Sequence, residues 1–141
     1  MSMYDSLDYN LTDCEYNDQH TEEIWSIAVC EASADILSAF TDEDWERLFR
    51  ALPDKSVLWK KRLVDCVDDL DPNKIKALIM AADTPDEDLF CYAVGMLNEL
   101  GYVYTEESRP VYERVQRALP AAKGPAKDVF IEFLRRKDHL R

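Results

Sequence analysis

Two histidines, four cysteines, three glycines and 29 carboxylates are the raw material for chemistry in this chain. A nucleophile-and-base site needs a histidine or an equivalent base beside Ser, Cys or Asp. Here His20 lies in the N-terminal segment and His139 two residues from the end. Cys14, Cys30, Cys66 and Cys91 are widely separated and form no CxxC pair, so zinc-type spacing is missing and free thiols are expected. The adjacent pairs Asp68–Asp69 and Glu22–Glu23 have the right groups for acid and base roles or for holding magnesium. Neighbours on a helix point about 100° apart, however, so solvated faces and dipole partners are the expected reading. The glycines form no phosphate-cradling loop. The expectation is a protein with no catalytic set, no cofactor and no metal.

The elements that would position any site are helices. Thr84 to Gly101, TPDEDLFCYAVGMLNELG, carries a start signal, a stripe and a stop. Thr84 is the predicted cap, Pro85 suits the first helical position, Glu87 completes a capping box, and Gly101 ends the helix. Leu89, Tyr92, Ala93, Met96, Leu97 and Leu100 recur at spacings of three and four and predict the buried side. Thr21 predicts a cap for a helix to about Phe40, with Trp25, Ala28, Val29, Ala32, Ile36, Ala39 and Phe40 inward. Thr41 and Asp44 form a capping box before Trp45, Leu48, Phe49 and Leu52. Ser56 opens a helix to about Leu70 with Trp59, Leu63, Cys66, Val67 and Leu70 buried, although Lys60, Lys61 and Arg62 leave Trp59 a candidate for an exposed groove. Asp71–Pro72, Ser108–Pro110 and Gly124–Pro125 start three more. The predicted class is all-α, with about seven helices.

The charge is unevenly placed. The net charge is −12, yet residues 1–46 hold 13 Asp and Glu with no Lys or Arg, and residues 47–141 hold 16 acidic against 17 basic residues. Residues 109–141 carry nine Lys and Arg against four Asp and Glu. An acidic face repels nucleic acid and attracts cationic proteins. Residues 1–20 have the composition of a poorly ordered acidic arm, with one or two of Tyr4, Leu7, Tyr9, Leu11 and Tyr16 expected to pack back on the first helix. Residues 21–141 read as a single helical domain. The N-terminal residues show neither an apolar run nor a basic residue, so no secretory signal or membrane span is expected, and the expected compartment is the cytoplasm.

A repeat is visible. RALP closes a short helix at Arg50–Pro53 and again at Arg117–Pro120, and Pro53, Pro85 and Pro120 stand 32 and 35 residues apart. Three tandem helix hairpins, 41–70, 71–101 and 108–137, account for this punctuation. The stripes WERLFRALP, KIKALIMAAD and VYERVQRALP resemble short HEAT-like repeats, in which antiparallel helix pairs stack into a curved slab. Together with small size and acidity, this layout resembles the immunity proteins of bacterial contact-dependent inhibition and polymorphic toxin systems. That resemblance implies a cytoplasmic protein that binds one cognate toxin domain and blocks it.

The resulting expectation is an acidic surface docked on a basic, nuclease-type toxin domain, with no nucleic acid and no membrane as partner. Glu22, Glu23, Asp42, Glu43, Asp44 and Glu46 are the expected charged contacts, and Tyr9 and Tyr16 the expected anchors. A helical-repeat adaptor or assembly protein and an acidic nucleic-acid mimic are the alternative readings.

Overall fold

The computed structural model describes residues 2–13 and 25–138, which hold eight α-helices and no strand. They are α1 (Met3–Asp13), α2 (Cys30–Ser38), α3 (Asp42–Ala51), α4 (Val57–Asp65), α5 (Pro72–Ala82), α6 (Glu87–Glu99), α7 (Arg109–Ala118) and α8 (Pro125–Asp138). A π-helical turn, Trp25–Val29, leads into α2. The predicted cap at Thr21 and the residues Cys14, Tyr16, His20, Glu22, Glu23 and His139 lie outside the described residues. Among the described residues no helix is long and apolar enough to cross a membrane.

Local signals set most helix starts. Thr41 and Asp44 form the reciprocal capping box of α3. Ser56 Oγ accepts from the Trp59 amide at 3.1 Å, and Asp71 accepts from the amides of Asn73 and Lys74 ahead of α5. The start of α6 differs from expectation. Asp86, not Thr84, is its cap and accepts from the Leu89 amide at 2.8 Å, while Thr84 Oγ1 accepts from the Asp86 amide. A carboxylate two residues downstream of Thr84 satisfies the same orphan amides with charge assistance, so the helix begins later. The end of α6 is a Schellman motif: Gly101 has φ +72, its amide bonds Asn98 O and the Tyr102 amide bonds Leu97 O, both at 3.0 Å. Ser108 does not cap α7 with its side chain; its hydroxyl closes the preceding turn by bonding the amide and carbonyl of Thr105.

The two RALP strings build the same turn. Ala51 and Leu52 have φ/ψ of −82/−28 and −54/−42, and Ala118 and Leu119 have −81/−25 and −55/−44. In both copies the proline enters a short 3₁₀ turn, Leu52–Asp54 or Leu119–Ala121, where its missing N–H is not needed.

The packing is organised around α6, which contacts α4, α5 and α8. On the N-terminal side α3 contacts α5, and α1 contacts α2, α3 and α4. Tyr112 of α7 stacks on Phe133 of α8 with ring centroids 4.2 Å apart, and Phe90 of α6 meets Phe130 of α8 at 5.9 Å.

Residues 3–13 are a helix of this core, not an arm. Tyr4, Leu7 and Leu11 lie on one helical face and are buried. Each leucine buried this way contributes about 1.5–3 kcal/mol of transfer free energy. Two predicted faces are also corrected. In α2 the buried residues are Ser33, Ala34 and Leu37, while Ala28, Ala32 and Ala39 are exposed, because the π turn inserts residues and rephases the 3.6-residue stripe. In α6 Phe90 and Val94 join Leu89, Ala93 and Leu97 inside, and Tyr92 is 39% exposed. Trp25, Trp45 and Trp59 are all buried, so Trp59 covers no open groove. The expected extension of α4 to Leu70 stops at Asp65, and Leu70 is exposed.

Candidate protein-binding site

Folding neutralises many of the carboxylates internally. Arg47 Nη2 pairs with Asp5 at 2.9 Å, and Asp8 receives both Lys55 Nζ at 2.9 Å and Trp59 Nε1 at 3.1 Å. The Arg47 guanidinium and the Ser2 hydroxyl hold the Asp5 carboxyl below its ordinary range. Asp68 and Asp69, adjacent in sequence, share the buried Lys74 ammonium at 2.9 and 3.0 Å. They are an ion-pair cluster that ties α5 to the preceding loop, and Lys74 also reaches Ser38 Oγ at the end of α2. Among the described residues, no three His, Cys, Asp or Glu side chains gather as a metal-ligand set.

A second polar knot lies where the π turn meets α4 and α6. Asp65 accepts from Trp25 Nε1 at 2.9 Å and from the Tyr92 hydroxyl, and Arg62 Nη1 lies 3.5 Å from the same carboxylate. The Arg62 guanidinium also sits over the Trp25 ring. Burial first, and then the bond to Asp65, pushes the Tyr92 phenol well above its ordinary pKa, so it stays protonated as the donor. Cys30 Sγ donates to Asp65 O and Cys66 Sγ to Arg62 O. Cys30, Cys66 and Cys91 are free thiols. The mutual interaction of the two thiols pushes Cys66 up and Cys30 down. These contacts join the π turn, α4 and α6, which makes the knot a fastening between elements.

The expected contact residues separate into three sets. Asp42, Glu43 and Glu46 are exposed in the first turns of α3, and no cation among the described residues pairs with them. Tyr9 is 68% exposed on α1. Asp44 is removed from the set: it is 4% exposed, and its carboxylate is occupied by Thr41 and by the Tyr4 amide. Its place in the capping box decides this, since a carboxylate turned back on its own helix cannot face a partner. Tyr16, Glu22 and Glu23 lie outside the described residues.

Sequence reasoning missed a groove of about 940 Å³ between α6, the end of α7 and α8. Its floor includes Phe90, Gly95 and Met96 of α6, Ala118 and Ala122 around the second RALP turn, and Val129 of α8. Arg114 closes one end by lying over the Phe90 ring, 4.0 Å from its centroid, and donating to Thr84 O. Glu87, Asp88, Glu99 and Asp128 stand on the rim. The legible signal was a glycine inside an otherwise strong helix, opposite a run of small residues at 118, 121, 122 and 126. Comparison of the chain with family models, with curated proteins and with solved structures finds no match.

Proposed function

We propose that this chain is a non-catalytic, cytoplasmic binding protein that neutralises a basic partner domain, in the manner of the immunity proteins it resembles. The observation that carries the reading is the partition of the carboxylates. Lys and Arg from the later chain neutralise Asp5, Asp8, Asp65, Asp68 and Asp69, yet Asp42, Glu43 and Glu46 remain in solvent with no cation beside them among the described residues. A nuclease-type domain carries a cationic cleft for phosphates, and an acidic inhibitor enters the same field with association rates up to about 10⁸–10⁹ M⁻¹s⁻¹ at low salt. As part of the same proposal, α3 to α8 are three stacked hairpins of HEAT type. The succession of contacts α4–α6–α8, the α3–α5 contact and the matching RALP turns support this arrangement.

The test is capture of the partner from the native cell at low salt, followed by measured binding of a variant with Asp42→Lys, Glu43→Lys and Glu46→Lys. The expected partner is a single basic domain whose activity the chain blocks. Association of the triple variant falls at least about tenfold, with helicity retained and the melting temperature lowered only slightly, by the loss of Asp42 and Glu43 from the positive end of the α3 dipole. An unchanged association rate removes the α3 face as the docking surface, and a partner without a basic surface removes the reading altogether.

A further inference from the structure

We infer that the groove between α6 and α8 is a separate docking site that receives a cationic amphipathic helix from a partner protein. It goes beyond the acidic face of α3, with which it shares no residue, so loss of binding at one leaves the other to be tested on its own.

Charge selects the sign of the occupant. As a whole α8 is rich in cations, yet Lys127, Arg135 and Arg136 do not line the groove, whereas Asp128 and Glu132 do. On the facing helix Glu87 and Asp88 stand at one end and Glu99 at the other. Glu87, Asp88, Glu99 and Asp128 have no ion-pair partner among the described residues. Arg114 is committed to Thr84 O and Phe90. Lys123 alone then opposes four free carboxylates. An anionic ligand, a nucleic acid backbone or an acidic lipid surface meets the wrong field here, and a cationic one meets the right one.

Shape selects a helix. The walls are themselves helices whose backbone groups are internally bonded, so the groove offers side chains and no strand edge to extend. Glu87 to Glu99 spans 13 residues, about 20 Å, which matches three turns or so of an incoming helix. Gly95 lies at the middle of the floor. Glycine in a helix interior costs about 1 kcal/mol relative to alanine, and internal packing does not require it here. A Cβ added at Gly95 finds only Val129 Cγ1 at 4.0 Å, an ordinary contact. The missing side chain leaves room on the outside, where a second helix can approach the backbone closely.

The experiment titrates the ¹⁵N-labelled full chain with a synthetic helix-favouring peptide of about 12 residues. Its leucines are spaced at i, i+3, i+4 and i+7 and flanked by lysines. A control peptide keeps the leucines and carries glutamates instead. The expected result is saturable amide shifts centred on Gly95, Met96 and Val129, with the glutamate peptide at least about tenfold weaker. Gly95→Leu, which fills the floor, and the exposed pair Glu87→Lys with Asp88→Lys each weaken the lysine peptide by a similar factor while the chain stays folded. Equal titration by both peptides, shifts centred on the first turn of α3, or no saturation overturns the inference. So does concentration-dependent self-association through this face that excludes the peptide. The two-peptide comparison on the unaltered chain decides the matter even where a variant fails to fold.

Discussion

Replacing Asp65 with alanine lowers the unfolding free energy by about 4 kcal/mol, because it removes the carboxylate from beside a buried cation. The Arg62 side chain is 2% exposed and that of Asp65 13%, so water cannot replace the lost partner readily. Trp25 Nε1 and the Tyr92 hydroxyl lose their acceptor in the same step. Removing one member of a buried pair is far costlier than replacing both with matched apolar groups. Arg62→Met combined with Asp65→Leu therefore recovers much of the loss. Asp65→Asn keeps an acceptor for Trp25 or Tyr92 but not the charge, and costs about half as much. Urea unfolding gives these differences. A spectrophotometric titration adds an independent readout: the Tyr92 pKa falls when Asp65 is removed and stays above the ordinary tyrosine value, because burial, its largest cause, remains. A loss below about 1 kcal/mol, with Tyr92 unmoved, would show that this knot is not a fastening.

What the sequence made legible was local. Thr41, Ser56 and Asp71 cap their helices as expected because each cap is decided within three residues of chain. The RALP strings could be read as one turn used twice for the same reason. Features that depend on distant partners were hidden. Helix α1 looked like an acidic arm because the cations that hold it, Arg47 and Lys55, lie more than forty residues away. Its stripe at Tyr4, Leu7 and Leu11 is nevertheless present in the sequence, beneath a composition rich in Asp and Asn. The face of α2 departs from its 3.6-residue stripe because nothing in that stripe marks a π turn. In α6 the neighbours Phe90 and Val94 took the interior, and Tyr92 turned to Asp65 on another helix.

The candidate site divides along the same line. Exposure of Glu43 and Glu46 follows from their place opposite Trp45 and Leu48 on a strongly amphipathic helix, and that of Asp42 from its position as the first helical residue, both of which are local information. The groove is a relation between two helices and the turn that spaces them, so the sequence could disclose only its ingredients: Gly95, the alanines, and carboxylates on both walls. Asp44 is the instructive error. Its capping role and its supposed contact role were both readable from sequence, and they are mutually exclusive, since each needs the same two oxygens.

That exclusivity gives Asp44→Ala an expected cost of about 3 kcal/mol and a characteristic dependence on pH. One carboxylate oxygen accepts from the Tyr4 amide at 3.1 Å, and the other from the Thr41 amide and hydroxyl, both at 3.0 Å. The side chain thus joins the starts of α1 and α3. Burial alone would raise the Asp44 pKa, but the donors of Thr41 and Tyr4, with the nearby Arg47, outweigh it and hold the carboxyl below its ordinary value. A carboxyl depressed in the folded state contributes its full stability above the unfolded value of about 3.9, and loses it as pH falls through the folded value. The gap between the parent protein and Asp44→Ala is therefore widest and flat above about pH 5, and narrows progressively below about pH 4. Asp5 and Asp69 are shifted in the same direction and remain in the variant, so the variant keeps a shallower acid limb of its own. Asp44→Asn can satisfy only one of the two donor groups, because its amide nitrogen faces the other. It falls between the two proteins and lacks the Asp44 part of the acid limb. Unfolding measured from pH 7 to pH 3 separates these cases. A gap that stays constant across that range would mean that Asp44 acts through packing, and that the ionised carboxylate does not join α1 to α3.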